Sequence, residues 1–173
     1  MRRFLVYAAG LLVLFVIQCS AFRIFLPLTD ITPNLLLLFV ISFGLMRGEK
    51  TGLFLGFFAG ILIDIIYADQ LGFYALLFMF LGYLLGLFHQ TLTPGSFLPA
   101  VALIGAGDLF YGLAVYVFQF LLRSRFHFRF YLLHVILPEA VLTLLIALIL
   151  YPLLFLLNDS MEAAEQRRAR KFV

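Results

Sequence analysis

The sequence predicts an all-α, polytopic membrane helix bundle of about six transmembrane helices. Two observations carry that prediction. Of 173 residues, 65% are apolar and 12% charged, with a mean hydropathy of +1.13, a balance that excludes a water-soluble domain with a polar exterior. The apolar residues also fall into runs separated by short connections rich in Pro, Gly or charge. Six spans at about 20 residues each need about 120 residues, which leaves no room for a folded domain outside the bilayer.

The first span covers residues 4–22, directly after Met1-Arg2-Arg3. It reads as an uncleaved helix: the run exceeds a secretory signal core, and Gln18 before Cys19 does not suit a lipoprotein cleavage site. The second span, residues 34–46, is short. At 1.5 Å per residue it reaches about 20 Å, so it must borrow from residues 28–33, sit in thin lipid, or be shielded by neighbouring helices. Residues 51–67, 72–88, 98–122 and 131–157 supply the third to sixth spans, the last carrying Pro138, which interrupts the helical hydrogen-bond ladder. Residues 1–157 thus read as a single transmembrane domain and residues 158–173 as a basic cytoplasmic tail. Within the tail, Asn158-Asp159-Ser160-Met161-Glu162 opens like a capped helix.

With the N-terminus inside, the cytoplasmic segments hold Arg2, Arg3, Arg47, Lys50, Arg167, Arg168, Arg170 and Lys171, against Arg23, Arg123, Arg125 and Arg129 in the outer loops. This asymmetry places both termini in the cytoplasm. Arg47, Lys50 and the tail cations are the expected cytoplasmic contacts, to anionic headgroups or to a docked protein.

Gly44, Gly48, Gly52, Gly56 and Gly60 recur at every fourth position, and the last three lie on one ridge of the third span. Small residues at that spacing let two helix backbones approach closely, so the ridge is an interface, within the chain or with a partner's helix. Gly82 and Gly86 form a second pair in the fourth span. Asp64 continues the ridge. In the fifth span, Gly105, Asp108, Gly112, Tyr116, Gln119 and Arg123 share one face, which must avoid lipid. Glu139 lies one turn before Thr143 in the sixth span. Counted from assumed helix starts, Asp64 lies about 20 Å, Asp108 about 15 Å and Glu139 about 18 Å into a 30 Å core. No Lys or Arg shares that depth, so the trio is expected to be an intramembrane polar cluster relieved by protonation, shared protons or hydrogen bonds.

Several chemistries lack their residues. The lone Cys19 rules out a disulfide framework and a multi-cysteine zinc site. His89, His127 and His134 have no metal-ligand spacing. No phosphate-binding Gly-rich loop occurs, so no nucleotide cofactor is expected, and no nucleic-acid partner. Gly105-Ala106-Gly107-Asp108 matches the Gly-x-Gly-Asp string of intramembrane aspartyl proteases, but Ile63 stands where their Tyr-Asp partner motif needs Tyr. Catalysis is therefore not expected.

The order of a short apolar span after Pro33-Asn34, then Gly52-x3-Gly56-x3-Gly60-x3-Asp64, Leu71-Gly72 and Gly82-Tyr83-Leu84-Leu85-Gly86 resembles the MreD family of bacterial rod shape-determining membrane proteins. The resemblance covers essentially the whole chain. It implies a non-enzymatic inner-membrane subunit of the cell-elongation machinery for peptidoglycan. Its implied partners are the single-span protein MreC and, through a larger complex, MreB, RodA and its transpeptidase. The family's fold also looks like the substrate-binding subunits of energy-coupling-factor vitamin transporters, which supplies an alternative: a small-molecule-binding membrane subunit whose mid-membrane acids line a pocket.

Overall fold

The computed structural model describes residues 2–25, 32–67, 72–92, 97–118 and 128–169. Every regular element among them is helical: α1 (Arg2–Phe25), α2 (Leu35–Arg47), α3 (Glu49–Tyr67), α4 (Phe73–Gly86) with a 3-10 turn (Leu87–Gln90), α5 (Phe97–Tyr116), α6 (Phe128–Tyr131) and α7 (Leu137–Ala169). A π-helical stretch, Leu132–Ile136, joins α6 to α7, so the seven helices make six rods. The stretches Phe73–Gln90, Phe97–Tyr116 and Arg129–Ala163 are long and apolar enough to cross a membrane. The chain is an all-α membrane bundle.

The short second helix is the central post. It touches α1, α3, α4, α5 and α7, and every residue from Leu35 to Leu45 is buried. A helix apolar on all sides belongs inside a bundle, and shielding by neighbours is how this chain keeps 13 residues in place. Backbone groups at the ends of so buried a helix need protein partners. Asn34 caps the first turn by accepting the Leu37 N–H at 3.2 Å, and Gln18 of α1 accepts the Leu36 N–H at 3.2 Å. The Asn34 N–H itself donates to Thr143 Oγ1 of α7 at 3.2 Å. At the other end, Gly48 turns the chain with φ +95° and returns its N–H to Gly44 O at 2.8 Å, while His89 Nδ1 lies 2.8 Å from Leu45 O.

Around this post pack the α3–α4 hairpin and the α5–α7 pair. The π stretch precedes Pro138: the Leu137 N–H reaches back to Leu132 O, and the proline has no N–H to continue the ordinary ladder. Helix α7 then runs without a break through Asn158 to Ala169. No new helix starts at Asn158, so the tail begins as the last turns of the last rod.

Candidate functional site

The glycine ridge of α3 is filled by α4 of the same chain. A Cβ placed on Gly52 would lie 2.1 Å from Gly82 O, one on Gly56 2.3 Å from Phe78 O, and one on Gly60 2.3 Å from Ala75 Cα. Gly82 returns the contact, since its Cβ would lie 2.2 Å from Gly52 O. These are backbone atoms on both sides, at the separation that only small residues permit. Gly86 packs on the α3 backbone at Glu49, and Gly44 of α2 approaches Gly82 O, Gly52 and Gly86. Gly44, Gly52, Gly82 and Gly86 therefore make a three-helix junction, which the every-fourth spacing alone did not reveal.

Asp64 ends the ridge as the cap of α4. It is 2% exposed, and its carboxylate accepts three backbone N–H groups: Oδ1 from Tyr74 at 3.0 Å, Oδ2 from Gly72 at 3.1 Å and Ala75 at 3.0 Å. The first N–H groups of a helix have no partner within it, and Gly72, the residue at the cap position, has no side chain to offer. An acid from the preceding helix fills the place and meets the positive end of the α4 dipole. The aspartate and the glycine ladder are thus two parts of one device that locks α3 to α4.

The second acid has a different environment. Asp108 is 3% exposed on α5, and neither carboxylate oxygen makes a hydrogen bond of ordinary geometry. The side chains of Thr143 and Asn34 come close enough to interact with its carboxyl, and Glu139 of α7 lies within electrostatic reach. Gly105, Asp108, Gly112 and Tyr116 are all buried, as their shared face predicts, with Gly105 against Leu144 and Gly112 against Ile136. Gln119 and Arg123 of that stripe lie outside the described residues. Partly buried Tyr111 lies within electrostatic reach of Asp108 and Glu139, and its ring centroid is 6.3 Å from that of Tyr74. Asp108 and Glu139 therefore share one polar patch, whereas Asp64 faces the α4 backbone.

At the Gly48 end of α2, Arg47 turns inward. It is 9% exposed; its Nε donates to the side-chain oxygen of Asn158, its terminal nitrogen to Asn158 O at 3.5 Å, and Glu162 lies 4.0 Å away. Asn158 Nδ2 donates in turn to Glu162 Oε1 at 3.3 Å. The expected cytoplasmic contact at Arg47 is thus a clasp between α2 and the end of α7. Lys50, by contrast, is exposed. Side chains of Arg167, Arg168, Arg170 and Lys171 lie outside the described residues. Among those described, no group of His, Cys, Asp and Glu is placed to hold a metal ion.

A family model described as rod shape-determining protein MreD matches residues 1–161. The chain belongs to the MreD family. No curated protein and no solved structure matches it. In this MreD chain the residues that sequence reasoning singled out fall into three places: the ridge and Asp64 in the α3–α4 seam, Asp108 and Glu139 between α5 and α7, and Arg47 at the α2–α7 clasp. Reading the sequence missed Asn34, Gln18 and His89 as caps of the MreD central helix. Asn34 carried a signal, as a capping residue after Pro33 and before an apolar run. Gln18 and His89 act from other rods, and no local pattern announces them.

Proposed function

We propose that this chain is a non-enzymatic scaffold subunit of the bacterial elongation machinery, set in the inner membrane with both termini cytoplasmic, where it holds MreC. MreB, RodA and its transpeptidase join through the larger complex. The observation that carries this reading, together with family membership, is the closed α3–α4 seam. Every close-approach glycine there meets backbone of the same chain, and Asp64 gives both oxygens to backbone amides. A carboxylate so engaged is not half of a proton-sharing catalytic pair. What remains is a stiff block with an apolar perimeter, including Phe54, Leu76, Phe80 and Leu98, fit for lateral docking in lipid. The tail from residue 158 onward, with Arg167, Arg168, Arg170 and Lys171, supplies the cytoplasmic basic contact.

The test is affinity purification of the tagged chain from native membranes in mild detergent. MreC is expected to co-purify. Recovery with no protein companion, or a turnover reaction by the isolated chain, overturns the scaffold reading.

One observation favours a second reading, the small-molecule-binding subunit of an energy-coupling-factor type transporter. Both oxygens of Asp108 are buried without a hydrogen bond of ordinary geometry, with Asn34, Thr143 and Glu139 beside them, an arrangement that a polar ligand would complete. Mass spectrometry of the purified protein separates the two: a bound small molecule supports the transporter class, a bound protein the scaffold.

A further inference from the structure

An open groove of ≈ 730 Å³ lies between α1 and α3, whose walls meet where the Phe4 and Phe58 rings pack edge to face with centroids 6.3 Å apart. Phe4, Ala8 and Leu12 form one wall, and Phe54, Phe58 and Leu62 the other. The cation on its lining is Lys50, at the end where α3 begins, with Thr51 beside it. We propose that this groove seats one acyl chain of an anionic phospholipid, with the headgroup phosphate on the Lys50 ammonium.

Three features select that occupant. The first is charge: Lys50 is exposed, and the neighbouring Glu49 lies on the ridge side, where Gly86 packs against its backbone. A cation at the mouth of an apolar slot between spans matches an anionic headgroup above a chain. Depth is the second. From Lys50 to Leu62 the α3 wall rises about 18 Å, close to the 15 Å or so of one leaflet in a core about 30 Å thick. A partner's spanning helix would need a groove running the full core. Volume is the third: the space falls within the range of about 300–1,000 Å³ typical of small-molecule sites. The lipid belongs to the leaflet at the Lys50 end, which is also the Arg47 end of α2.

The experiment is native mass spectrometry of the full-length protein in detergent, titrated with phosphatidylglycerol or phosphatidylcholine. One phosphatidylglycerol is expected to bind about fivefold more tightly, the preference one lysine gives at an anionic headgroup. Lys50→Glu should abolish the preference, and Ala8→Trp, which fills the slot, should release the lipid. Equal affinity for the two lipids, or a preference that survives either substitution, overturns the proposal. Lys50 is exposed, so Lys50→Glu decides the matter even where Ala8→Trp fails to fold. A benzoylphenylalanine photo-crosslinker at Phe58 in intact cells locates the occupant: an adduct of phospholipid mass supports the assignment, and an adduct with a protein overturns it.

Discussion

The α3–α4 seam and the α5–α7 seam are written with the same ingredients, spaced glycines and an aspartate, and they are built differently. Across α3–α4, the atoms facing Gly52, Gly56 and Gly60 are backbone. Across α5–α7, Gly105 faces the end of Leu144 and Gly112 the side chain of Ile136. Asp64 satisfies three amides, while Asp108 is buried with only marginal contacts to Thr143 and Asn34. Spacing therefore reports close approach, but what lies opposite decides whether the contact can yield. One seam is a lock; the other is an adjustable joint around a polar patch.

The largest expected effect comes from forcing the lock. In Gly56→Leu even the first added carbon collides with Phe78 O, which no rotamer can relieve. The helices must separate, at a cost of about 3 kcal/mol or more. Thermal denaturation in detergent should show loss of the folded monomer, with MreC co-purification disappearing only as the monomer does. A stable folded monomer that lacks MreC would instead assign the ridge to the partner.

Next comes the clasp at the end of the ridge. Asp64→Ala leaves three amides without an acceptor and is expected to cost about 2–3 kcal/mol. Asp64→Asn keeps one acceptor oxygen and should cost clearly less in the same melting experiment. Equal losses would mean that Asp64 acts through its charge alone and that its cap geometry is incidental.

These contrasts mark where the sequence was legible. Apolar runs located the six rods among the described residues, because a helix satisfies its backbone groups within each such run. The shortness of the second span left three readings open, borrowed residues, thin lipid or shielding by neighbours, and the burial of Leu35 to Leu45 favours the last. The ridge at Gly52, Gly56 and Gly60 was legible as an interface, but its partner was not, since a repeat of four fixes one surface and says nothing of the other. Asp64 was placed by depth among the mid-membrane acids, when the informative neighbour was Gly72, eight residues on, a cap position with no side chain. Arg47 showed its charge but not its clasp, because Asn158 and Glu162 arrive from the far end of the chain.

A smaller effect probes the joint. A Cβ at Gly105 would lie 2.7 Å from Leu144 Cδ2, a collision with the tip of a flexible side chain. Rotating Leu144 relieves it for about 1 kcal/mol. Gly105→Ala should therefore melt only slightly below the unsubstituted protein, and far above Gly52→Ala. Similar losses at the two positions would erase the distinction between lock and joint.

The smallest change in stability is expected where the chemistry looks most provocative. Asp108 is buried with only marginal contacts to Thr143 and Asn34, so an apolar side chain of similar size removes a desolvation cost and sacrifices little hydrogen bonding. Asp108→Leu is therefore expected to melt within about 1 kcal/mol of the unsubstituted protein, or above it. With the fold intact, the variant reads out what the acid is for. Undiminished recovery of MreC makes Asp108 dispensable to the scaffold, and loss of a co-purifying small molecule makes it a ligand-binding residue. Marked destabilisation would show that Asp108 has a structural partner after all, and the α5–α7 joint would then be a second lock.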